Sequence, residues 1–105
     1  MAENIAHFRP GQLIHHKLFD YRGVIVDVDP IFQGSEAWYE QMARSRPPKE
    51  KPWYHVLVHD ADHTTYVAEQ NLELDHSMEP VRHKLLGEHF DRFEKGAYVP
   101  RRQTN

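Results

Sequence analysis

The chain has 105 residues, 39% of them hydrophobic and 28% charged, so it holds one small core; with no cysteine, disulfide scaffolds, cysteine-ligated zinc and thiol nucleophiles are excluded. Thirteen Lys and Arg against sixteen Asp and Glu give a formal net charge of -3, which argues against strong nonspecific binding to duplex phosphates, although nine histidines would make any polyanion binding pH-sensitive. No apolar run approaches the roughly 20 residues of a membrane helix and Met1 to Pro10 lacks the apolar block of a signal peptide, so a cytoplasmic protein is expected.

Phe8 to Gly11 opens with a turn signal, and Gln12 to Lys17 reads as a first strand ended by the loop Leu18 to Arg22. Gly23 restarts the chain into Val24 to Asp29, whose alternation puts valines 24, 26 and 28 on one face and Ile25, Asp27 and Asp29 on the other; Pro30 stops it. Ser35 is an N-cap for a short helix, Glu36 to Arg44, with Trp38, Met42 and Tyr39 on its inner side. The Pro-rich stretch Arg46 to Pro52 reads as an exposed connection. Trp53 to His59 and His63 to Ala68 form a hairpin about Asp60-Ala61-Asp62. A three-residue loop makes His59 face His63 and groups Tyr54, Val56 and Val58 with Thr64, Tyr66 and Ala68 on the core face; a two-residue loop pairs His59 with Thr64 instead. Leu72 to His76 is a fifth strand.

Beyond Pro80, Val81, Leu85, Phe90 and Phe93 recur at helical spacing, with Gly96 as a stop and Tyr98 to Asn105 as a loose basic tail. The fold class predicted is mainly β: a small five-stranded SH3-like barrel or roll over residues 1–76, with a short helical insertion and a C-terminal helical extension over 77–105.

Histidines 55, 59 and 63 with Asp60 and Asp62 have side chains suited to zinc or nickel at the hairpin end, but the expectation is that His55 and His63 hydrogen-bond backbone or neighbouring side chains while His59 is solvated, and no metal is assigned. Asp27 and Asp29 share a strand face yet have no base or nucleophile beside them, so they read as solvated polar residues. Arg9, His15, His16, Lys17 and Arg22 surround the first hairpin and are candidate phosphate contacts, with Arg101 and Arg102 as a mobile arm. Among the aromatics flanking the Pro-rich stretch, Trp38 and Tyr39 are the candidates for an exposed partner-binding or base-stacking platform. No catalytic set is found, and an enzyme is not expected.

Four ordered segments, Gly11-x-x-x-x-His16, Tyr21-x-Gly-Val-Ile-Val-Asp-Val-Asp-Pro30, Pro52-Trp-Tyr-His-Val-Leu57 and His63-x-x-Tyr-Val-Ala-Glu69-x-Asn-Leu72, together resemble the bacterial heat-shock protein Q family, the YccV-like or hemimethylated-DNA-binding domain family. The resemblance runs from Phe8 to His76. It implies an SH3-like barrel, a stress-linked cytoplasmic protein, no cofactor, and no established catalytic residue. Two activities come with it: binding to hemimethylated DNA, and, as the alternative, enhancing degradation of specific substrates by the Lon ATP-dependent protease while itself being a substrate. Association of barrels through exposed strand edges into a homo-oligomer is a further expectation.

Overall fold

The computed structural model describes residues 5–101. Five strands make one antiparallel sheet in the order β4-β3-β2-β1-β5: β1 (Leu13–His16), β2 (Arg22–Asp29), β3 (Trp53–Val58), β4 (Thr64–Ala68) and β5 (Leu72–Leu74). The helix α1 (Glu36–Met42) stands between β2 and β3, and a 3-10 turn, Glu69–Asn71, joins β4 to β5. After β5 come the one-turn helix α2 (Leu86–His89) and a second hairpin, β6 (Phe90–Glu94) with β7 (Ala97–Pro100).

The sheet is strongly rolled but not closed into a barrel, because β4 and β5 end the strand order at opposite sides and the 3-10 turn bridges them without pairing them. The roll brings Tyr21 against the edge strand, where its hydroxyl meets Thr65 Oγ1 at 2.7 Å. Inside it pack Ile14, Ile25, Tyr54, Val56, Val67 and Leu72. The opposite face carries two further clusters. Leu13, Val24 and Leu57 receive Val81 and Phe90 from the C-terminal segment, and Trp53 and Ala68 receive Tyr39 and Ala43 from α1 and its C-cap. Strand β3 is thus covered on both sides, which is why its sequence is almost continuously apolar and aromatic.

A β-bulge in β2 changes the expected faces. Ile25 pairs with Val56 but Asp27 pairs with His55, so Val26 is the extra residue. Val24 therefore lies in the outer cluster and Val28 against the inner one, whereas strict alternation would have kept the two valines together. The β3–β4 register is also one residue from the expected pairings: Leu57 faces Thr64 and Tyr54 faces Val67 across the wider connection 59–63. Its partners are Thr65 and Val67 on the inner face, and Thr64, Tyr66 and Ala68 stand on the outer one. Arg82 holds this connection open, donating two side-chain bonds of 2.7 Å to the Asp60 carboxylate while its carbonyl accepts from Asp60 N.

The C-terminal helix expected from the spacing of apolar residues is replaced by the β6–β7 hairpin. Lys95 and Gly96 have φ of 55° and 78°, the two left-handed positions of a tight hairpin turn, so Gly96 turns a strand where a helix stop was expected. Nor is the segment loose: Tyr98 N donates to Gly11 O at 2.8 Å, and the Tyr98 hydroxyl both donates to and accepts from the main chain of Val81 at 3.0 Å. Gly11, at φ 97°, would place a Cβ 2.1 Å from Tyr98 O, which explains the glycine at the start of the first quoted segment. The Pro-rich connection is packed as well. Tyr39 Oη donates to Pro47 O at 2.7 Å, Trp53 Nε1 donates to Pro48 O at 3.0 Å, and Pro47 and Pro52 are buried.

Candidate nucleic-acid interface

The basic residues singled out in the sequence do not form one patch. His15 is clamped between Asp20 (2.6 Å) and Glu73 (2.8 Å), whose hydrogen bonds raise its pKa above the ordinary histidine value. His16 is 3% exposed; its Nδ1 accepts from Leu18 N at 3.1 Å and Phe19 N at 3.0 Å, and burial, with neighbouring His15, lowers its pKa. Arg22 donates to Asp75 at 2.7 Å and to the Glu79 carbonyl, tying β2 to the chain beyond β5. Arg9 and Lys17 are exposed, at opposite ends of β1. Arg101 is fastened to α2 through Gly87 O at 2.8 Å and His89 O at 3.0 Å, and Arg102 lies outside the described residues.

The histidines of the β3–β4 hairpin are likewise dispersed. His59, expected to be solvated, is instead largely covered, its Nδ1 accepting from Arg82 N at 2.8 Å because the chain beyond β5 packs on this connection, and His83 Nε2 donates to the His63 carbonyl at 3.0 Å. His55 instead points along the outer face to Asp29, with Nε2 3.0 Å from Oδ2, the same oxygen that accepts from Tyr66 Oη at 2.7 Å. Burial and that bond raise the Tyr66 pKa, keeping the phenol protonated as donor.

What the roll does bring together is a groove between the β1–β2 loop, α1 and edge strand β4. Two adjoining clefts, of about 80 Å³ and about 400 Å³, share His16, Phe19, Trp38, Met42, Tyr66 and Val67. Ser35 caps α1 by accepting from Trp38 N at 3.0 Å, which fixes the Trp38 side of the helix toward the groove. The Trp38 ring is half-buried, edge-on to Tyr66 at 5.7 Å and to Trp53 at 6.0 Å. Tyr39 is instead buried beneath the helix, whereas Met42, expected inward, is 60% exposed at the groove. Phe19 stacks on His16 at 4.8 Å and is still 68% exposed. Arg44 is exposed and lines the smaller cleft with Asn71, and the main-chain N–H of Lys17, itself exposed, donates to the carbonyl of that Asn71 at 2.8 Å. Among the described residues neither cation has a carboxylate partner, unlike Arg46 with Glu40 or Lys49 with Glu36.

An apolar, aromatic trough with unpaired cations at its rim has the chemistry of a surface that accepts a polyanion bearing flat or methylated groups. Of the groove's lining, the sequence reading had named His16 and Trp38 as candidates, on separate surfaces; Phe19, Met42 and Arg44 were not among them, since only the rolling of the sheet joins residues 16–21 to 38–44. The available signal was local: an exposed Leu-Phe pair inside a polar turn.

A small rolled β-domain with a groove along one sheet edge is the class these features define. A family model described as "Hemimethylated DNA-binding protein YccV like" matches residues 6–97, and the chain belongs to this YccV-like family. The match extends past His76 over β6 to Ala97, where β7 begins, and this stretch includes Val81 and Phe90, which are buried against Leu13, Val24 and Leu57.

Proposed function

We propose that the chain is a non-enzymatic module that binds hemimethylated DNA through the groove between the β1–β2 loop, α1 and β4. The observation that carries this reading is the pairing of uncompensated Lys17 and Arg44 with the Phe19–Trp38–Met42 trough, in a chain whose family is described by that ligand. In this proposal Lys17, Arg44 and Arg9 contact phosphates, and the trough receives the single methyl group beside base edges. The test is binding to unmethylated, hemimethylated and fully methylated duplexes of one sequence. Wild type should prefer the hemimethylated duplex; Trp38→Ala and Phe19→Ala should erase the preference, and Lys17→Ala with Arg44→Ala should weaken binding to all three. Equal affinity of wild type for all three duplexes would overturn the reading.

The exposure of Leu18 (58%), Phe19 (68%) and Met42 (60%) favours a second reading, in which the same trough engages an apolar segment of the Lon protease or its substrates during the stress response in the cytoplasm. Turnover of a Lon substrate with and without the chain separates the two. Stimulation that survives Lys17→Ala and Arg44→Ala but is lost in Phe19→Ala would favour the protease.

A further inference from the structure

Beyond the groove, the bulge in β2 has a chemical effect. Without the extra residue at Val26, Asp27 and Asp29 would continue the Ile25 face into the interior of the roll; with it, both carboxylates stand on the outer face beside His55. One ligand atom from each of Asp27, Asp29 and His55 lies within 4.8 Å of the other two. The His55 Nε2 to Asp29 Oδ2 distance of 3.0 Å is close to the spacing of about 3.3 Å that two donors adopt at bond lengths of about 2.0 Å around one tetrahedral zinc ion. Two carboxylates this close repel each other, and among the described residues no Lys or Arg pairs with either, whereas Asp75, Glu40, Glu36, Asp60 and Glu94 each have one. Tyr66 Oη donates at 2.7 Å to that same Oδ2 of Asp29 and so helps to fix the position of the carboxylate.

We infer that Asp27, Asp29 and His55 form a site for a divalent first-row transition ion such as zinc, held by one imidazole and two carboxylates with its remaining positions open to water. The mixed nitrogen and oxygen donors suit zinc or nickel better than magnesium, which favours oxygen alone. Asp27 is exposed and His55 partly so, which gives the ion a direct path from solvent and allows both to be replaced without opening the core.

The experiment is calorimetric titration of the full chain with zinc chloride in chelator-free buffer, repeated with magnesium chloride. Wild type should take one zinc ion in the micromolar range and magnesium at least tenfold more weakly. Asp27→Asn and His55→Gln should each lose at least tenfold in zinc affinity, with circular dichroism unchanged, whereas His63→Gln should bind as wild type does. Binding no tighter than millimolar, or micromolar binding that both cluster variants retain, would overturn the site.

Discussion

Trp53 and Val26 both sit in strands read correctly from sequence, yet their burial separates them. Trp53 is 1% exposed, touches Phe32, Trp38, Tyr39 and Tyr66 as an aromatic cluster, and donates to Pro48 O, so Trp53→Ala should cost about 3 to 5 kcal/mol. Val26 occupies the bulge and is only half-buried, so Val26→Ala should cost no more than about 1.5 kcal/mol. Urea denaturation of the two variants checks the ordering. The paired histidines of β1 supply a pH signature. Hydrogen bonds to Asp20 and Glu73 raise the His15 pKa, so its stabilisation is complete below its unfolded value of about 6.5 and fades as pH rises through the higher folded value. Buried His16 works oppositely, its contribution being present above about 6.5 and lost as pH falls toward its lowered value. His15→Asn should therefore destabilise the protein more at pH 6 than at pH 8.5, read as the difference in Tm from wild type at each pH; an equal difference at both would contradict the clamp.

At the scale of elements, the five strands, the Ser35 cap and α1 were legible because period-two alternation, Gly and Pro punctuation and a capping side chain are all local signals. The register of β3 with β4 was not, since Arg82, more than twenty residues away, sets the width of their connection. The C-terminal hairpin was misread as helix because Val81, Leu85, Phe90 and Phe93 fit a helical period by coincidence, two of them from the irregular stretch before α2 and two from β6. Its integration changes what the tail should do. Tyr98→Phe keeps the ring against Phe90 and Phe93 but removes the hydroxyl from Val81, and should cost about 1 to 2 kcal/mol. Deleting residues 98–105 removes most of β7 as well and should lower Tm far more than that point change. A deletion that melts with the full chain would show that the hairpin adds nothing to the sheet.

For the molecule as a whole, a net charge of -3 means that any affinity for DNA comes from where its cations stand rather than from their number. Five of its thirteen Lys and Arg are already paired with carboxylates: Arg22 with Asp75, Arg46 with Glu40, Lys49 with Glu36, Arg82 with Asp60 and Arg92 with Glu94. Arg44, on the smaller cleft, and Lys17, joined through its main chain to Asn71 of that cleft, have no carboxylate partner among the described residues. Each phosphate contact releases condensed counterions, so the slope of log affinity against log salt should fall in magnitude by about 0.9 per contact removed. The double variant Lys17→Ala, Arg44→Ala should lose about 1.8 from that slope on any duplex, whereas Trp38→Ala should lower affinity for the hemimethylated duplex at a fixed salt and leave the slope as it was. Filter binding across a salt series measures both quantities on the same samples. A double variant with the wild-type slope would move the phosphate contacts to other cations, with exposed Arg9 the next to replace; a Trp38→Ala variant that changed the slope alone would mean that its ring positions the cations and reads no base.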